Sequence, residues 1–132
     1  MKTVKIAMLV LLAGLFSMPW SYADAPKSRD VIIGVTDAYI PSNFDSSSDA
    51  FAVVTGLFPN SCYRFKETKV EHVGATLHEV TTYANVTEGL CLMVLVPFNK
   101  EVALGKLQVG EHQIHFLNGD GTYLEKRLTI EN

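Results

Sequence analysis

The chain has 132 residues, with 11 basic and 14 acidic side chains and a net charge of −3. That length suits one domain around one hydrophobic core. The mildly acidic balance lacks the basic footprint that a nucleic-acid backbone attracts, so no nucleic-acid partner is expected.

The first stretch has the layout of a secretory signal. Lys2 and Lys5 precede an apolar run from Ile6 to Met18, Pro19 breaks it, and Ser21-Tyr22-Ala23 supplies a small-x-small cleavage pattern. The apolar run is about a dozen residues, short of the roughly 20 that a spanning helix needs. Residues 1–23 are therefore expected to be a cleaved signal peptide, which makes the protein secreted or periplasmic, with no membrane span in the mature chain. No cysteine lies in this region, so it offers no site for lipid attachment. Removal of Lys2 and Lys5 leaves nine basic against 14 acidic residues, a net charge of −5.

Residues 24–30 read as a mobile polar leader, and residues 31–132 as a single domain. Val31 to Ile40 is rich in β-branched residues and ends at Pro41, the signature of a strand. Pro41 to Asp49 is a loop by composition, and its aspartates lack the spacing of a calcium loop. Ala50 to Phe58 is a second strand, apolar at both parities and so central in its sheet. After the turn Pro59-Asn60-Ser61, the run Cys62 to Lys66 alternates as a half-buried strand. Cys62 there shares parity with Arg64 and Lys66, a conflict that a bulge or a bridge at the sheet edge would remove. Val70 to Val73 extends that strand or begins another, Gly74-Ala75 is a turn, and Thr76 to Ala84 is a further strand.

Asn85 to Gly89 reads as a loop. Leu90 to Phe98 is the most hydrophobic run beyond the signal and reads as a strand buried on both faces. Val102 and Leu104 follow, then a strand from Glu111 to Leu117. Asn118-Gly119-Asp120-Gly121 carries two strong hairpin dipeptides, and Thr122 to Ile130 closes the hairpin with Leu124, Leu128 and Ile130 at one parity. Strands recurring every ten or so residues, without sustained helical periodicity, predict an all-β sandwich. Cys62 and Cys91 are the only cysteines, and in an oxidising compartment they are expected to form one disulfide pinning the two sheets.

The run Gly56-Leu57-Phe58-Pro59-Asn60-Ser61-Cys62, then Cys91, Pro97-Phe98, Val102, Leu104 and Leu107 to Gly119, resembles small bacterial secreted or lipid-anchored immunoglobulin-like domains. The resemblance implies an immunoglobulin-like antiparallel β-sandwich of about seven strands, and it implies no activity. Two departures stand out: the lipid-bearing cysteine is missing, and His112 stands where such domains usually carry an aromatic residue, commonly Tyr. His112 is expected to act as a structural corner, bonding nearby backbone as the tyrosine of an immunoglobulin corner does.

Candidate chemistry is sparse. His112 and His115 are an odd number apart and should lie on opposite faces of their strand. His72 and His78 flank a turn and can approach across a hairpin, which makes them the candidate metal ligands, with Glu71 or Glu79 as a carboxylate partner. No nucleophile elbow, paired carboxylates or short Cys-x-x-Cys spacing is present, so no catalytic residue, resident metal or cofactor is expected, and the protein is read as not an enzyme. The reading that follows is a non-catalytic module binding a protein or envelope component through loops 41–49 and 85–89 or the strand Cys62 to Lys66. Alternatives are a protease inhibitor presenting the Pro41 to Asp49 loop, and a small-ligand or divalent-metal binding protein.

Overall fold

The computed structural model describes Pro19 and residues 26–132. The expected signal peptide and its cleavage site otherwise lie outside the described residues. Eight strands follow in order: β1 Ser28–Ile33, β2 Asp37–Tyr39, β3 Ala50–Phe58, β4 Tyr63–His72, β5 Leu77–Thr87, β6 Val96–Gly105, β7 Gly110–Leu117 and β8 Tyr123–Ile130. No helix interrupts them among the described residues.

Two sheets result. In the larger, β5 pairs with β4 along one side, while its other side is shared between β1 and β7, with β8 outermost beyond β7. The smaller sheet has the order β2-β3-β6. Every pair is antiparallel except β5 with β7, which run parallel over Leu77–Thr81 and Gln113–Leu117. The architecture is a β-sandwich.

Alternation of side chains across each strand builds the core. Ala52 and Val54 of β3, Val80 and Ala84 of β5, Ile114 and Phe116 of β7, and Leu128 and Ile130 of β8 are all buried and cluster together. β3 is the central strand of its sheet and covers the expected Ala50 to Phe58 run. Phe98 stacks on Phe58 with ring centroids 4.5 Å apart. Gly56 makes that packing possible, because a Cβ there would stand 2.4 Å from the Phe98 ring.

Four expectations need correction. Val31 to Ile40 is not one strand: β1 ends at Ile33, and the chain crosses at Gly34–Thr36 to begin β2 in the other sheet. Ser28, Arg29 and Asp30, placed by composition in the polar leader, pair with Thr87, Val86 and Asn85 as the start of β1. Leu90 to Leu95 is not a buried strand but an exposed connection between β5 and β6. Only Val96 onward joins a sheet, and residues 85–87, expected in a loop, belong to β5.

The disulfide Cys62–Cys91 is present, with its Cα atoms 5.3 Å apart. Neither cysteine lies in a strand: Cys62 ends the β3–β4 turn and Cys91 sits in the β5–β6 connection. Both connections cross from one sheet to the other, so the bridge staples the two crossovers at one end of the sandwich. The parity conflict disappears for the same reason, because the alternation of β4 begins only at Tyr63.

Candidate functional site

Two features stand apart from ordinary packing: a file of histidines at one end of the sandwich and an apolar loop at the other. β4 and β5 form a hairpin in which His72 pairs directly with His78 and Glu71 with Glu79. Successive residues of a strand point to opposite faces, so the two glutamates face away from the two histidines. His78 points inward and is 2% exposed. The parallel register of β5 with β7 then brings in His112, which is 1% exposed.

The rings form a chain rather than a converging set. His72 Nδ1 lies 2.6 Å from His78 Nδ1, and His78 Nε2 lies 2.8 Å from His112 Nδ1. His112 Nε2 lies 2.7 Å from the Gln108 carbonyl oxygen, four residues upstream. A carbonyl can only accept, so His112 donates from Nε2 and accepts at Nδ1. His78 must then donate from Nε2 and accept at Nδ1, and His72 donates from Nδ1. With all three rings neutral every bond is satisfied, and the lone pair left over is His72 Nε2 at the exposed end. Burial first, and then the neighbouring rings of His72 and His112, lower the His78 pKa to about 4.

This geometry does not suit His72 and His78 as the candidate metal ligands. Two nitrogens on one tetrahedral ion would stand roughly 3.3 Å apart at ordinary bond lengths. Both nitrogens of His78 are spent on neighbouring rings, and both candidate carboxylates are on the wrong face. Among the described residues, no group of three or more histidine, cysteine, aspartate or glutamate side chains is arranged to hold a metal ion. A shallow cleft of about 180 Å³ opens beside His72 and His78, lined also by Gly74, Ala75, Lys106, Leu107 and Gln108. His115 lies on the other face of β7, stacked on Tyr123 with centroids 4.0 Å apart.

The loops singled out in the sequence behave differently from one another. Pro41 to Asp49 folds back on the domain: Phe44 packs against the core, and its carbonyl accepts from Glu131 N at 3.0 Å. Asp45 Oδ1 accepts from Ser47 N at 2.9 Å and from the hydroxyls of Ser47 and Ser48, which hold its pKa below the usual carboxylate value. In the strand after Cys62, Tyr63 and Phe65 lean on the core, Lys66 is ion-paired with Asp30, and Arg64 is exposed.

The second feature was not expected. Leu90, Leu92, Met93, Val94 and Leu95 are between 53% and 106% exposed, all within six residues. Leaving such side chains in water forgoes roughly 1.5–3 kcal/mol apiece relative to burial. The loop is nevertheless well anchored. Leu92 N donates to Ser61 Oγ at 2.7 Å, Ser61 N donates to the Leu92 carbonyl at 3.0 Å, and Glu88 N donates to the Lys27 carbonyl at 2.9 Å. Asn60 Oδ1 accepts from Cys62 N at 2.9 Å, ordering the turn to which the bridge is attached. Gly89, with φ 151°, lets the chain leave β5 in a direction that a side chain would resist.

A comparison with protein families matches residues 52–130, more than half of the chain, to the ORF11 beta-sandwich domain. The chain belongs to that family. The match begins inside β3 and contains both the histidine file and the apolar loop. No curated protein and no solved structure matches the chain. Among the described residues no helix is long and apolar enough to cross a membrane.

Proposed function

We propose that this member of the ORF11 beta-sandwich domain family is a non-catalytic, immunoglobulin-like module, secreted or periplasmic, that binds a protein or envelope component. The observation that carries this reading is the exposed run Leu90–Leu95 held in place by the disulfide and by Ser61. Contiguous exposed apolar side chains of this kind mark interaction sites on soluble domains, while isolated ones need no explanation. A preordered loop also loses less conformational freedom on binding than a slack one. Sandwich domains present loops from a rigid frame, and here the frame is the pair of stapled crossovers. The histidine file serves packing in this reading: His112 takes the corner role through Gln108, and His78 fills the space between.

Retention of the intact protein on whole envelope material, membranes and their proteins together, tests the proposal. Wild type should be retained and a Leu92→Asp/Val94→Asp double variant should not, with unchanged thermal unfolding because both positions are exposed. Equal retention of the two proteins, or of neither, counts against the loop as the binding surface.

A further inference from the structure

The loop's own chemistry narrows the partner. Between Val86 and Phe98 the only charged residue is Glu88. The exposed apolar residues include four in succession, Leu92 to Leu95, in a stretch outside any strand, so no regular alternation confines them to one face. A protein groove that takes an extended segment engages alternate side chains and leaves the others outside. A hydrocarbon phase accepts side chains in every direction.

The charges around the loop point the same way. Lys27 touches the loop's first residue through its carbonyl, Arg29 pairs in register with Val86 one residue before the end of β5, and Arg64 lies two residues past Cys62. All three are exposed, and among the described residues none has a carboxylate within ion-pair distance. Asp30 at the same rim is occupied by Lys66. At the opposite end the charges are mixed: Glu71 and Glu79 stand beside the β4–β5 turn, Glu111 at the start of β7 is ion-paired with Arg127, and Lys106 lines the cleft beside His72. The molecule is acidic as a whole, yet the end that carries the apolar loop is basic.

From this we infer that the Leu90–Leu95 loop inserts into the interface of an anionic lipid bilayer, with Lys27, Arg29 and Arg64 meeting the headgroups and the histidine end facing away. An apolar tip with a cationic collar is the arrangement by which surface segments bind lipid, the tip entering the acyl boundary and the cations staying with the phosphates. The inference rests on the proposed reading of the loop as the binding surface.

Flotation of the intact protein with vesicles of phosphatidylcholine and phosphatidylglycerol, and with phosphatidylcholine alone, tests it. Wild type should float with the anionic vesicles and less with the neutral ones, and added salt should reduce the bound fraction. Leu92→Asp/Val94→Asp should bind at least about tenfold more weakly. Arg64→Ser should bind about fivefold more weakly to anionic vesicles, the loss expected for one cation near the surface. Circular dichroism confirms that each variant is folded. Wild type that stays with neither vesicle, or flotation indifferent to the loop substitution or to lipid charge, overturns the inference. If pure lipid fails while envelope material still retains wild type and not the double variant, the partner is a protein and only the lipid assignment falls.

Discussion

Lowering the pH should destabilise the fold through His78. The residue is buried between His72 and His112, its Nδ1 and Nε2 both engaged, and its folded pKa is about 4 against 6.5 in the unfolded chain. Above 6.5 both states hold the ring neutral and stability is complete. Below 6.5 the unfolded state takes up a proton that the folded state refuses, and the loss grows until the pH reaches about 4. At 1.36 kcal/mol per tenfold, that gap corresponds to a loss of about 3 kcal/mol. The shifts at Asp30, Asp37, Asp45 and Asp120 are all downward from 3.8, so their contributions begin to be lost only below about pH 5, after most of this window has been crossed. Urea unfolding with the disulfide intact, repeated from pH 7.5 down to about 4.5, measures the effect. His78→Gln retains an amide donor for His112 and cannot titrate, so its stability should fall much less over the same range. Equal slopes for the two proteins would refute the buried neutral histidine.

The disulfide and one glycine give two further tests. Replacing both cysteines with serine reopens a 29-residue separation, and restriction of the unfolded chain by such a loop is worth about 3.5 kcal/mol; denaturant unfolding showing less than about 1 kcal/mol would contradict a closed bridge. Gly56→Ala pushes a Cβ into the Phe98 ring and should cost about 1–3 kcal/mol, while Gly74→Ala, which meets nothing within 4 Å, should be nearly neutral by the same measurement.

The parts of the fold governed by local chemistry were legible in the sequence. β3 follows from its continuous apolar run, and the β7–β8 hairpin from alternation and from the Asn-Gly and Asp-Gly pairs, with Asn118 N donating to the Thr122 carbonyl at 3.0 Å to close the turn. The meeting of His72 with His78 was readable as well, since a short hairpin places them opposite. His112 joining them was not, because it lies 34 residues beyond His78 and is brought there by the parallel register of β5 with β7, which nothing local specifies. The apolar loop was misread for a physical reason. A run such as Leu92–Leu95 has the composition of a strand buried on both faces, and only the tertiary structure shows that both sheets end before it. Composition misjudged Ser28–Asp30 in the opposite sense, since polar residues pair as readily as apolar ones when the free edge of β5 is beside them.

The loop's role can be read by placing a reporter within it. The chain has a single tryptophan, Trp20, so a Trp20→Phe/Leu92→Trp variant carries its only indole in the loop. With anionic vesicles, its emission should shift to the blue and be quenched by lipids brominated along their acyl chains, while a Tyr39→Trp variant in the same Trp20→Phe background, also exposed but in β2, should show neither change. Unchanged emission from position 92 on vesicles that retain the protein would contradict insertion of the loop.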